Sequence, residues 1–326
     1  MKMLVSSLYC KVSQCRYNTF VPKMYSKSLI ILGALLLILT AGGIAFAQGE
    51  GNRFVSGSLS MLLAVNTVEC DIRIVTLVDG IEYTARGNYE EQALPRPAPG
   101  QPTPFQRSMF RLEVRFSPVA GNAEPNRMTL VCCPATAWEG SQVKRYTHVE
   151  GVRSFRTIDL ARLEERLRAT NRESFFRQVS EVRNLGGLAG MMRQIDRFYE
   201  FSSPTQENLQ EEETIPVWKL TGRLRSVHHR ELLQQFGGLD KRGNYPADFP
   251  SDIELYLGRH DDFPYKVRYL RRVSEQSEQK VLLFQESFFN VILNGTPIDP
   301  ARFVLHPPDD VIGVDDTDRF IRELGL

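Results

Sequence analysis

The sequence predicts an α+β protein built on one large, curved antiparallel sheet with few helices. Segments that alternate apolar and polar residues with period two recur along the chain, the mark of strands with one buried face. The links between them are mostly too short for crossovers, so neighbouring strands pair antiparallel. Amphipathic helical patterns are fewer and cluster mainly in the middle. With no internal repeat and no firm boundary, residues 48–326 read as one domain, an acceptable size for a large sheet protein.

Taken in order, a short helix near Ser58–Val65 precedes the first strand. CDIRIVTL places Cys70, Ile72 and Ile74 on one face, and IEYTARGNYEE follows. ALPRPAPGQPTPF carries Pro95, Pro97, Pro99, Pro102 and Pro104, so residues 94–105 form an extended insertion between two strands. MFRLEVRF is the clearest strand, with Phe110, Leu112, Val114 and Phe116 facing one way and Arg111, Glu113 and Arg115 the other. RMTLVCC and VKRYTHVEGV are the next strands. TIDLARLEERLRAT sets Leu160, Leu163 and Leu167 on one helical stripe, with Thr157 or Asp159 as N-cap. GGLAGMMRQIDRFYEF sets Leu188, Met191, Met192, Ile195, Phe198 and Tyr199 at helical spacing. ENLQEEETIP reads as a solvated acidic loop. After the strand PVWKLTGRL comes a third helix, SVHHRELLQQFGG, which Gly237 and Gly238 are placed to end. DIELYLG and PYKVRYLRR make a hairpin around His260–Pro264. KVLLFQESF follows, and RFVLH is expected as the last strand, stopped by Pro307 and Pro308.

The ends of the chain differ in kind. The first 47 residues hold Lys2, Lys11, Arg16, Lys23 and Lys27 and no acidic residue, then the apolar run SLIILGALLLILTAGGIAFA. A basic flank, an apolar stretch and an A-x-A ending describe a secretory signal cleaved between Ala47 and Gln48; a retained membrane anchor is the alternative, and Met24 is an alternative start. Cleavage would take the net charge from +1 to about −4. The remaining cations are interspersed with acids, which argues against a nucleic-acid surface. Export permits a disulfide between Cys70 and either Cys132 or Cys133, with buried thiols as the alternative.

A search for chemistry finds no catalytic centre and no cofactor motif. His228 and His229 are adjacent and diverge by about 100° on a helix, so they do not chelate together, and HHRELL lacks the second histidine of a zinc helix. GGLAG at 186–190 lacks the lysine and hydroxyl of a phosphate loop. No G-x-S-x-G serine elbow is present. Asp309, Asp310, Asp315, Asp316 and Asp318 lack the spacing of an EF-hand, and Asp316 or Thr317 can instead cap a closing helix. What stands out is apolar: Met191 and Met192 beside Phe198, Tyr199 and Phe201, next to glycines, suited either to a solid core or to adaptable contact with lipid.

Several stretches together resemble the LolA-like outer-membrane lipoprotein carriers and related lipid-binding envelope proteins. They are VCCPATAWEGSQVKRY with its Trp138, GGLAGMMRQIDRFYEF, PVWKLTGRL, DIELYLGRHDDFPYKVRYL and FFNVILNGTPIDPARFVLHPPDDVIGVDDT. Most of the likeness lies late in the chain. Cys132, Cys133 and Pro134, and the proline-rich insertion, depart from the family pattern. The resemblance implies an unclosed β-barrel whose concave apolar face is covered by helices. It implies a non-enzymatic protein of the periplasm or cell envelope that binds a lipid, or the acyl chains of a lipoprotein, without a cofactor, and that deals with envelope membrane proteins. Phe110, Leu112, Val114 and Phe116 would line its cavity with Trp218 and Leu220, and Leu188, Met191, Met192 and Ile195 would belong to its lid. An envelope interaction module with a solid core is the alternative.

Overall fold

The computed structural model describes residues 50–78, 81–95, 108–116, 126–133, 141–149, 151–169 and 183–323. The signal or anchor segment, Trp138 and all but the first two residues of the proline-rich insertion lie outside the described residues. In chain order the elements are α1 (Glu50–Ala64), β1 (Thr67–Val78), β2 (Ile81–Ala93), β3 (Ser108–Phe116), β4 (Asn126–Cys133), β5 (Gln142–Val149) and β6 (Val152–Asp159). Then come α2 (Leu160–Ala169), α3 (Arg183–Phe198), β7 (Tyr199–Phe201), β8 (Thr205–Gln210), β9 (Thr214–Leu224) and α4 (Ser226–Gln235). The chain continues with β10 (Asp252–Gly258), β11 (Pro264–Arg272), β12 (Lys280–Leu293), a 3-10 turn (Pro300–Phe303), β13 (Gly313–Asp315) and α5 (Thr317–Glu323).

The strands form a single sheet in the order β13-β6-β5-β4-β3-β2-β1-β12-β11-β10-β9-β7, with β8 also paired to β9. The terminal strands β7 and β13 do not pair with each other, so the barrel stays open. Every ladder is antiparallel except β13 on β6. Short turns make this possible: Gly151 supplies φ 77° between β5 and β6, and Asp262 supplies φ 55° between β10 and β11. Inward residues along the strands, among them Ile72, Leu112, Leu130, Leu255 and Phe288, join the buried faces of α1, α2 and α3 in one apolar core. The helices therefore lie on one side of the sheet, as an amphipathic stripe requires.

Local signals act much as expected at the helix ends. The Asp159 carboxylate accepts from the amides of Ala161 and Arg162 at 2.9 and 3.1 Å and so caps α2. Gly238 donates to Leu233 O at 2.8 Å and Gly237 to Gln234 O at 3.1 Å, closing α4 with both glycines at positive φ.

Several expectations need correction. The first helix starts at Glu50, earlier than Ser58, because Gly51 and Asn52 already pack against the strand after α3. VKRYTHVEGV is only the first arm of a hairpin whose second arm, β6, runs into the α2 cap. The helical stripe through α3 stops at Phe198; Tyr199 to Phe201 switch to extended backbone and pair with Leu224 to Gly222 of β9. RFVLH is no strand. Asp299 caps the 3-10 turn through the Ala301 amide at 2.9 Å, and Phe303 drops into an outer apolar cluster with Met109, Val131 and Ile298. The acidic loop is not wholly solvated either: β8 and β9 form a hairpin, and the buried Glu211 carboxylate at its tip pairs with Arg73 and with Lys266, the latter at 2.8 Å.

The late aspartates dock the C-terminal segment. Asp310 pairs with Arg153 at 2.6 Å, Asp316 with Arg156 at 2.7 Å, and Asp315 and Asp318 with Arg162 at 2.6 and 2.7 Å. Asp315 also accepts from the Thr317 amide, and burial opposes but does not cancel the hydroxyl, amide and Arg162 contacts that hold its carboxyl below the usual range. Among the described residues no group of three histidine, cysteine or acidic side chains is placed to hold a metal ion.

Candidate functional site

The concave face is where the sequence places its unusual apolar residues, and the fold brings them together. Phe110, Leu112 and Val114 of β3, Leu188, Met191, Met192 and Ile195 of α3, and Leu220 of β9 are all buried in one cluster. Phe116 and Trp218 are partly buried at its margins. The Trp218 indole meets Phe54 of α1 edge-on, with centroids 5.3 Å apart. Met191 and Met192, neighbours about 100° apart on the helix, are both buried because α3 is sandwiched between the sheet and α1.

A polar clamp fastens one end of α3. Glu91 sits on the inward face of β2, and its carboxylate accepts from Tyr89 Oη and Ser108 Oγ, each at 2.6 Å, and from the Leu188 amide at 3.1 Å. Charge at the first free amides of a helix is favourable, since those N–H groups lack intrahelical acceptors. Gly187 makes the approach possible. Its backbone, φ 58° and ψ −149°, breaks the helix just before Leu188, and a Cβ there would overlap the Glu91 carboxylate. At the other end, Asn52 of α1 donates to Asp196 Oδ1 at 3.1 Å and accepts from the Phe201 amide at 3.0 Å. Neither Glu91 nor Asn52 was singled out from the sequence; a lone acidic residue at an inward position of an alternating strand was the available signal.

The described interior is closely packed. A cavity of about 30 Å³ remains between α3, α4 and the sheet, lined by Gln194, Ile195, Phe198, Tyr199, Leu232, Phe236, Pro250 and Tyr269. On this measure a single water needs about 10–15 Å³, so the space is of water size rather than ligand size. Two arginines and a histidine stand next to its lining residue Phe198. The Arg197 guanidinium lies 5.4 Å from the Phe198 ring centroid, and the His228 ring meets the same ring edge-on at 5.0 Å. Arg225 donates to Asp196 O at 3.1 Å, and its buried Nε has no acceptor. Burial, then the charges of Arg197 and Arg225, lowers the His228 pKa. A second cavity of about 520 Å³, polar and open, lies on the convex face between Asn88, Glu90, Arg111, Glu113 and Arg302.

Of the two readings open for the cysteines, the geometry is that of buried thiols: Cys70, Cys132 and Cys133 are buried and not bridged to one another. Cys70 lies on β1 and the other two on β4, with β2 and β3 between. Three strand spacings of about 4.8 Å separate them, twice the Cα reach of a disulfide. Burial, with the nearby Cys133 and Glu91, pushes the Cys132 thiol well up, away from reactivity.

No family model and no curated protein matches this sequence. Solved structures similar to the chain include a DUF1329 family protein from Desulfovibrio piger, 10% identical, covering 78% of this chain and 95% of that one, with a TM-score of 0.33. The Pseudomonas aeruginosa MucA/MucB complex is 12% identical over 77% of this chain and 61% of that one, with a TM-score of 0.33. Similar too is a LolA superfamily protein from Nitrosomonas europaea, 10% identical over 77% of this chain and 97% of that one, with a TM-score of 0.21. These distant likenesses carry no functional weight, and the chain's own geometry supplies the architecture that its motifs imply: an unclosed antiparallel barrel with helices over the concave face.

Proposed function

We propose that this chain is an exported, non-catalytic carrier that takes an acyl chain of a lipid or lipoprotein between the concave sheet face and its helical cover. The observation that supports this reading is the continuous apolar lining from β3 to β9, covered by helices rather than by a second sheet, with α3 held at its start by the single carboxylate of Glu91. Burial alone would hold the cargo, since each CH₂ contributes about 0.8 kcal/mol. The closed form has little room: its interior cavity of about 30 Å³ falls far below the roughly 300–1,000 Å³ of ligand pockets. Uptake therefore requires α3 to lift, with Leu188, Met191, Met192 and Ile195 as the moving surface and Phe110, Leu112, Val114, Phe116, Trp218 and Leu220 as the floor. Methionines suit such a surface because they repack readily.

The same close packing favours a second reading, an envelope interaction module with a solid core. Native mass spectrometry of the purified chain separates the two. A co-purifying lipid, or uptake of a fluorescent fatty acid after delipidation, supports the carrier. A folded protein that retains no lipid and takes up no fatty acid overturns it in favour of the module. Residues 1–47 would supply the export signal or anchor; no helix among the described residues is long and apolar enough to cross a membrane.

A further inference from the structure

We propose that the polar cavity on the convex face binds a primary amine, whose ammonium group donates to the Glu90 carboxylate. The site lies on the other side of the sheet from the acyl-binding surface and stands whether or not that surface holds a lipid.

The cavity's volume, about 520 Å³, falls within the roughly 300–1,000 Å³ of ligand pockets. Asn88 and Glu90 of β2, Arg111 and Glu113 of β3 and Arg302 of the 3-10 turn line it. Strand register puts them on one side. Tyr89 and Glu91 point inward, so Asn88 and Glu90 point outward. Asn88 stands opposite Asp71 of β1 and Glu113 of β3, and Glu90 stands opposite Glu69 and Arg111. Like charges directly opposite in adjacent strands, here Glu69 and Glu90, are destabilising.

Most of the charges there are paired, yet one donor is lacking. Arg302 pairs with Glu90 Oε1 and lies 3.7 Å from Glu69. Arg111 pairs with Glu113 at 2.9 Å and donates to Arg302 O at 3.1 Å, and Arg115 reaches Glu113 at 4.0 Å. Asn88 and Asn290 donate to Asp71, each at 2.7 Å, but leave its charge in place. Four carboxylates (Glu69, Asp71, Glu90, Glu113) thus face three guanidiniums (Arg111, Arg115, Arg302), one negative charge in excess. The deficit falls on Glu90. It is 7% exposed, and its buried Oε2 has no hydrogen-bond donor among the described residues. Burial raises its pKa above the usual value, and Glu69 adds to this; Arg302 and Arg111 act the other way without cancelling it.

A buried carboxylate oxygen without a donor is costly. Water would satisfy the oxygen but not the charge, whereas an ammonium N–H supplies both. A metal ion is not served, since no three ligating side chains converge among the described residues. Access needs little movement. The Arg302 side chain is 51% exposed, so a change of its rotamer uncovers Glu90 with the backbone in place.

Titration of the full chain with ethanolamine, tetramethylammonium and acetate, read by calorimetry near neutral pH, tests the site. Ethanolamine, protonated there, should bind about 10-fold or more tightly than tetramethylammonium, which has the charge but no N–H to give. Glu90→Gln should remove about that factor. Arg302→Gln frees Glu90 Oε1 and removes a competing cation, so it should tighten ethanolamine binding by about 3-fold or more. That opposite sign decides the matter even if Glu90→Gln fails to fold. Each of four results would overturn the site: no ethanolamine binding, equal affinity for both cations, tighter binding of acetate, or weaker ethanolamine binding by Arg302→Gln. None of them touches the acyl-binding reading, which the uptake of fatty acid tests separately.

Discussion

Glu91→Ala attacks the attachment of the helical cover. Removing the carboxylate leaves the Leu188 amide and the Tyr89 and Ser108 hydroxyls without the acceptor they share. A hydrogen bond to a charged group contributes about 1.5–3 kcal/mol. Three such bonds to one group do not add, and deleting the charge also removes its own desolvation cost of several kcal/mol. A net loss of about 2–3 kcal/mol remains, concentrated where α3 begins. At 1.4 kcal/mol per decade this raises the population of opened α3 by about 30- to 150-fold. Hydrogen exchange read by mass spectrometry should show that loss of protection in residues 188–198, while peptides from β10 to β12 change much less. If lifting of α3 limits uptake, fatty-acid association should quicken by a similar factor. Equal loss of protection in the cover and in β10 to β12 would sink the clamp idea, because it would mean that Glu91 supports the whole domain rather than one end of the cover. No loss in either would sink it as well.

Other perturbations follow from the same geometry. Asp252 is buried beside Arg272 at 2.8 Å and Lys280 at 3.0 Å. Burial raises its pKa, but hydrogen bonds from Arg272, Lys280 and Ser251 outweigh that and leave it below 3.8. Its stabilisation is therefore present above about pH 4 and lost as pH falls through the lower folded value. Asp252→Asn should cost about 3 kcal/mol near neutral pH, and its Tm gap from wild type should close in acid; a gap independent of pH would refute the assignment. Gly51→Ala would drive a Cβ into Ser202 O and the Phe201 side chain, so urea unfolding should register a loss of about 1–3 kcal/mol; an unchanged midpoint would contradict this packing. Alkylation of Cys70, Cys132 and Cys133 should require denaturant, and the intact mass should be the same with and without reductant. Rapid labelling of Cys132 in the native protein would contradict its burial.

The alternation in MFRLEVRF was enough to place Phe110, Leu112 and Val114 inward, because a strand's period of two is a property of the local backbone. The same holds for Leu160 and Leu163 on the α2 stripe, for the Asp159 cap and for the glycine pair after α4. All of these are decided within a few residues. RFVLH shows the limit of that logic: its alternation is real, but Asp299 nucleates a 3-10 turn and Phe303 finds a pocket on the convex face instead of a strand partner. Tyr199 keeps helical spacing with Ile195, yet pairing with Leu224 competes better for its backbone.

Residues distant in sequence decided the rest. The acidic run at 211–213 looks solvated until Arg73 and Lys266, from two other strands, surround Glu211. The late aspartates lack the spacing of a metal loop, but that leaves their role open until Arg153 and Arg156 each meet one of them and Arg162 meets two. Glu91 looks like an error in an apolar face until Gly187 delivers the Leu188 amide to it, 97 residues along the chain. The sequence by itself determined which face of each strand and helix is apolar, and hence an antiparallel sheet with helices on one side. Only the tertiary structure decided which charges that arrangement would bury, pair and use as clamps, because a charge's partner is set by where two distant elements meet and not by the residues beside it.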